Sequence, residues 1–279
     1  MFRSERAAEA VLIAGGGRAI LLQIANPAIG HGVAHHSDFT HRPLDRLHAT
    51  LTYVYAVSSG TPEELNEVRR RVNQAHAVVR STHSDAEATA EHPAYNAFTP
   101  ELQLWVAATL YDSAMTVHNR IFGPLSDTEA DAIYQDYAAL GAELQVPRSL
   151  WPADRAAFEV YWNEQLALLR TDATTRNVAR ELLHPRSGPL WLRAAMPLGR
   201  LLTTGFLPPK LRPAFELQWT PRDQKRFDRL MAFLSVVYPR LPRSLRTWPK
   251  DHYLRALQAS MTQAAASSDR MPSDSSARD

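Results

Sequence analysis

The chain has 279 residues, 45% hydrophobic and 22% charged, with a formal net charge of +2. That is enough for one large domain of ordinary globular composition, and it is not a polyanion binder by overall charge. With no cysteine, disulfides, iron–sulfur clusters, thiolate-ligated haem and Cys-type zinc sites are all excluded.

Helical periodicity dominates, and no long stretch alternates with period two. Residues 5–24 are predicted as a helix, very apolar over 19–24 and interrupted by Gly15-Gly16-Gly17. No strand precedes these glycines and no Lys-Ser/Thr follows them, so a phosphate loop is a poor reading. Close approach of the backbone to a neighbouring helix or a ligand is a better one. Asn26-Pro27 is taken to end this helix. Residues 28–42 are then expected to be a loop rich in His31, His35, His36 and His41, with Asp38 among them. The cluster lacks the His-Glu-x-x-His spacing of a zinc site. Structural, pocket-lining and metal roles all stand for it.

A helix from Pro43 places Leu44, Leu47, Leu51 and Val54 on a core stripe. Ser58-Ser59-Gly60 ends it. Thr61, Pro62 and Glu64 form a capping-box start for the next helix, with Leu65, Val68, Val72, Ala75, His76 and Val79 on its stripe. Residues 81–98 are expected to be irregular. Thr99-Pro100 opens a long helix to about Phe122, stopped by Gly123-Pro124. Ser126 and Glu129 form a second capping box, for a helix ending near Gly141. Pro152 is expected to open another helix. Over 182–213 prolines crowd in, so short helices and bends are expected. Thr220-Pro221 starts a strong helix through Phe227, Met231 and Val237. A basic, proline-broken stretch and a short helix to about Ala265 follow. The expectation is an all-α fold: a single-domain multi-helix bundle over residues 1–265, with a disordered tail over 266–279.

Between residues 176 and 255 there are 16 Lys/Arg against 5 Asp/Glu. A solvated arginine-rich surface is one reading. A patch facing acidic lipid or a propionate-bearing cofactor is another, and residues 191–250 could then make peripheral membrane contact. No recognition motif supports nucleic-acid binding. The apolar runs near the N-terminus are too short for a secretory signal or a membrane span, so a cytoplasmic location is expected.

Three residues carry candidate chemistry. His76 lies on an apolar stripe, and an imidazole there needs a hydrogen-bond partner or a metal. Haem would require such an imidazole, neutral and presented by a rigid helix. Arg46 and Thr50 are four residues apart on one helix face. An ordinary ion-pair arginine and a capping threonine are open readings. So is a pair that binds an oxygen species and moves a proton.

The motifs resemble a known family. They are Gly-Gly-Gly-Arg-Ala at 15–19, Gly32-Val33 with His36-Ser37-Asp38-Phe39, Arg46-Leu47-x-x-Thr50 and Gly60-Thr61-Pro62-Glu63-Glu64. Arg71-Val72-x-x-x-His76, Leu104-Trp105-Val106-Ala107-Ala108-Thr109, Gly123-Pro124-Leu125-Ser126 and Leu207-Pro208-Pro209-x-Leu211-Arg212 continue the series. In order and spacing they resemble the bacterial latex-clearing rubber oxygenases and the MpaB-type oxygenases of fungal mycophenolic acid biosynthesis. The resemblance implies an all-α fold around a haem pocket, globin-like in character, with haem b (Fe) as cofactor. It implies His76 as the proximal iron ligand, with Arg46 and Thr50 on the distal, oxygen-binding side. The implied reaction is O2-dependent oxidation or cleavage of a small apolar alkene, terpenoid or lipid-like substrate. A haem-binding protein without oxygenase activity (sensor, carrier or peroxidase-like) is the first alternative, and a structural interaction domain the second. Ala107 stands where relatives carry a His, and the distal glutamate of rubber oxygenases has no evident equivalent.

Overall fold

The computed structural model describes residues 5–37, 42, 44–82, 87–89, 93–187 and 189–268. Thirteen α-helices lie among them. The first six are α1 (Gly16–Ile24), α2 (Pro27–His36), α3 (Asp45–Ser59), α4 (Pro62–Ala77), α5 (Pro100–Phe122) and α6 (Asp127–Ala142). Then come α7 (Arg155–Leu168), α8 (Ala173–Leu183), α9 (Leu190–Phe206), α10 (Leu211–Ala214), α11 (Pro221–Val237), α12 (Arg243–Arg246) and α13 (Trp248–Ser268). The described residues contain no strand, only an isolated antiparallel bridge between Arg80 and Asn96. The all-α expectation holds.

Helix α5 is the axis of the molecule. Trp105, Ala107, Ala108, Thr109 and Val117 are buried around its circumference, and α1, α6, α9 and α11 all pack against it. Helix α1 is buried just as deeply, with Leu21, Leu22 and Ile24 wholly inaccessible. The Trp105 indole donates to Leu22 O at 3.1 Å and stacks on Trp162 with ring centroids 5.0 Å apart. A second core cluster joins Tyr53, Val68, Leu140 and Leu257, and a third joins Val117, Phe206, Phe227 and Met231.

The glycine run serves close helix packing. A Cβ on Gly17 would overlap the Thr203 side chain of α9, so only hydrogen lets α1 and α9 approach this closely. Gly123 ends α5 at φ +84°, in the left-handed region that glycine enters without strain.

Four boundaries differ from the sequence reading. Residues 27–36 are helix rather than loop: Asn26 Oδ1 accepts from the amides of Ala28 and Ile29, and Pro27 occupies the first turn. An Asn-Pro pair that can stop one helix is equally a start signal for the next. The helix expected from Pro152 begins at Arg155, where Asp154 Oδ1 accepts from Ala157 N. The proline-crowded stretch contains the 17-residue α9, which runs through Pro197. Packing of Leu192, Thr203 and Phe206 outweighs the cost of the missing amide, about 3 kcal/mol in a helix interior. Helix α13 reaches Ser268, three residues past the expected end of the domain at 265. Pro43, the expected start of α3, and residues 269–279 lie outside the described residues.

No single helix among the described residues is long and apolar enough to cross a membrane. Ala10–Ile24 and Pro27–His36 together would be, but they are bent by 108° and largely buried in the core.

Candidate functional site

Helices α3 and α4 are joined at Gly60 and pack on each other. The start of α4 is fixed by its capping box: Thr61 Oγ1 accepts from Glu64 N at 3.3 Å, and Glu64 Oε2 accepts from Thr61 N at 2.7 Å. That start sets the helix rotation. Val68 is buried in the core with Tyr53 and Ala56 of α3, Val72 follows one turn on, and His76 one turn further.

A cavity of about 470 Å³ opens where this pair meets α2 and α5. His76, Arg46 and Thr50 all line it, so the fold brings the three predicted residues into one chamber. The walls between them are largely aliphatic, with Ile29, Val33, Val72, Val106 and Leu110 among them.

Each of the three has an unusual hydrogen-bonding state. His76 is half-buried, and its Nδ1 is inaccessible and has no partner. It is therefore not a satisfied core histidine. Burial, aided by the nearby Arg46 charge, pushes its imidazole down to about 4. At neutral pH it is uncharged and keeps a free lone pair. Arg46 has no carboxylate partner among the described residues; Asp45 turns to Arg42 instead, at 2.8 Å. Among the described residues the Arg46 guanidinium donates only to Gln23 Oε1, at 3.3 Å. Burial lowers it to about 10, which still leaves it charged at neutral pH. Thr50 makes no side-chain hydrogen bond to another described residue, whereas Thr52 on the same helix bonds back to His48 O at 2.8 Å.

Sequence reasoning missed Gln23 and Tyr95. Gln23 bridges Arg46 to the interior: its Nε2 donates to Thr109 Oγ1 at 3.0 Å, and that hydroxyl donates to Val106 O at 2.7 Å. A lone amide inside the apolar run 19–24 was the available signal. Tyr95 lines the cavity from a connection without periodicity, so nothing in the pattern marked it. Its hydroxyl lies 3.0 Å from His35 Nδ1 and 3.3 Å from His36 Nε2.

The histidine cluster divides accordingly. His36 lines the cavity. His31 is buried and bonds to Asp172 Oδ2 at 2.6 Å, tying α2 to the start of α8. Burial works against ionisation of Asp172, but the bonds from His31 and Thr175 outweigh it and hold the carboxyl below its usual range. No group of three or more metal-ligating side chains occurs among the described residues. Asp38 and His41 lie outside them. Ala107 faces Gly141 of α6 in the core rather than the cavity. A second cleft of about 440 Å³, lined by Asp112, Arg155, Phe158 and Trp162, has no histidine among its described residues.

No solved structure matches the chain. Uncharacterized proteins of Mycobacterium bovis (Mb2261) and Mycobacterium tuberculosis (Rv2237) are each 38% identical over 234 residues, covering 82% of this chain and 89% of theirs. The family described as "ER-bound oxygenase mpaB/B'/Rubber oxygenase, catalytic domain" matches residues 4–236. The chain therefore belongs to the MpaB and rubber oxygenase catalytic-domain family.

Proposed function

We propose that the protein is a haem-b-dependent oxygenase acting with O2 on a small apolar substrate of alkene, terpenoid or lipid-like character. One observation carries the reading: the buried, unpartnered imidazole nitrogen of His76 sits in a cavity that also holds the Arg46 guanidinium and the Thr50 hydroxyl. These residues fit haem chemically. The neutral His76 imidazole would hold the iron, and the aliphatic lining would pack against the macrocycle.

When bound, haem supplies the redox-active iron for O2 chemistry. His76 holds its lone pair free of protons at any pH well above 4. Arg46 aims fixed positive charge and N–H donors at any anion that develops in the cavity, and in apolar surroundings such preorganised charge acts strongly. Gln23 holds that guanidinium in place. The Thr50 hydroxyl can donate one hydrogen bond while accepting another, as proton movement requires. The aliphatic walls exclude water and orient an apolar substrate.

The test is an absorption spectrum of the protein purified from cells supplied with iron and haem precursor. The wild type is expected to show a Soret band, and His76→Ala to lose or shift it. Arg46→Ala is expected to keep the band and change its response to O2. A colourless wild type would overturn the reading.

A haem-binding role without oxygenase activity, as sensor, carrier or peroxidase-like protein, has one observation in its favour. Asp45 is the sole carboxylate among the described lining residues, and it is tied to Arg42. Substrate-dependent O2 consumption separates the two.

A further inference from the structure

We infer that Gln103 is the specificity-determining acceptor of the cavity, and that the apolar substrate taken there carries a hydroxyl group. The inference rests on the proposed placing of the substrate in this cavity and names its chemical class more closely. Gln103, Val106 and Leu110 are spaced three and four residues apart on α5, so they share one helical face, and all three line the cavity. Gln103 is only 3% exposed, a costly place for an amide unless each polar atom has a partner. One end of the amide is satisfied. Its Nε2 donates to Ala97 O at 2.9 Å and to Gln145 Oε1 at 3.3 Å. A backbone carbonyl can only accept, so Ala97 fixes which end of the amide is nitrogen. The other end, Oε1, is buried and has no partner among the described residues.

The surroundings hold that oxygen in place. Gln145 accepts from Gln103 and passes the network on, its Nε2 donating to Asn73 Oδ1 of α4 at 2.6 Å. It does so from φ +68°, in the left-handed region that a glutamine enters only with strain. Strained positions of this kind recur at ligand clamps. Ala97, Gln103, Gln145 and Asn73 thus tie three walls of the cavity, α4, α5 and residues 95–97, around one unused acceptor. The chemistry of that acceptor selects the ligand. An amide oxygen binds O–H or N–H and gains nothing from an ether, an ester or a carboxylate. Arg46 places positive charge in the same cavity, which disfavours an ammonium. A neutral hydroxyl on an apolar chain satisfies the oxygen and suits the aliphatic walls. Thr109, where the Gln23–Arg46 pair is anchored, follows Gln103 by six residues, about 9 Å of helix rise. Acceptor and charged pair are therefore separate poles, and an alcohol held at Gln103 extends its apolar chain toward Arg46.

Isothermal titration calorimetry of the full chain with citronellol, an unsaturated alcohol, and with its methyl ether tests this. The ether is the more hydrophobic of the two, so an aliphatic cavity without an acceptor binds it the more tightly. The wild type is expected instead to bind the alcohol more tightly, by about tenfold or more. Gln103→Leu is expected to lose about tenfold or more for the alcohol and to keep its affinity for the ether, which reports an intact cavity in the same sample. The wild-type comparison needs no variant, so it decides the matter even where Gln103→Leu fails to fold. Equal or tighter binding of the ether by the wild type overturns the inference, and so does binding of neither ligand. A preference for the alcohol that survives Gln103→Leu also overturns it, since Thr50 or another lining hydroxyl would then hold the alcohol. The Soret band of the same samples reports on haem separately. A colourless protein that still prefers the alcohol, and loses the preference in Gln103→Leu, overturns the haem reading and upholds this one.

Discussion

At the scale of single residues, the site depends on two nitrogen groups that oppose each other. A charged guanidinium and a neutral imidazole share one cavity, and each makes the other's charged form costlier. In the haem-free protein, Arg46→Leu is therefore expected to raise the His76 pKa above about 4. The value should stay below 6.5, because burial is the larger cause and remains. Proton NMR titration of the imidazole checks this; an unmoved pKa would show that the two groups do not interact. The same depression has a consequence for stability. A folded-state value below the unfolded one means that the unfolded chain binds more protons between pH 6.5 and 4. The His76 contribution is thus constant above that window, and stability is lost as pH falls through it. His76→Phe is expected to flatten the acid limb of a urea-midpoint-versus-pH curve in that interval. Gln23 is the residue on which Arg46 rests. Gln23→Leu keeps the approximate volume, removes the acceptor, and leaves Thr109 without its amide donor. In haem-loaded protein it is expected to alter the O2 response in the same direction as Arg46→Ala, but less. An unchanged response would remove Gln23 from the site.

At the scale of helices, what could be read from sequence was what is decided locally. The capping boxes at Thr61/Glu64 and Ser126/Glu129 form as the spacing predicts, because both partners lie within one turn. The rotation of α4, and with it the placement of His76, follows from such a signal. Arg46 and Thr50 were legible as a pair by their four-residue spacing, but their use of one cavity with His76 is tertiary. Helix α2 was hidden because Asn26-Pro27 both ends and begins a helix. Helix α9 was hidden because Pro197 argues against it, and only its packing on α1 and α11 overrides that. That packing makes a prediction. Gly17→Ala is expected to destabilise the protein by about 1–3 kcal/mol through overpacking against Thr203. Thr203→Ala should recover much of this loss when combined with it, as a double-mutant cycle of touching residues requires. Chemical denaturation measures both. Additive losses would mean that α1 and α9 do not meet at this pair.

For the whole molecule, α13 packs across the helix pair that carries the site. Tyr253 of α13 packs on Tyr55 and near His48 of α3, with ring centroids 5.9 and 5.8 Å away. The cavity, by contrast, is enclosed by α2, α3, α4, α5 and residues 95–97. A ligand that fills it meets side chains from all of these elements. It should therefore stabilise those helices first. On the haem proposal, haem at about 100-fold its dissociation constant would add roughly 2.7 kcal/mol to folding stability by mass action, a rise in melting temperature of several degrees for a chain of this size. Hydrogen exchange locates the effect. Amides of α2, α3 and α4 are expected to gain protection on haem loading, those of α9 and α11 to change little, and His76→Ala to lose the difference. Protection centred instead on α7 and the cleft lined by Asp112, Arg155 and Trp162 would place the cofactor on the far side of α5. The assignment of His76, Arg46 and Thr50 would then be wrong even for a protein that binds haem.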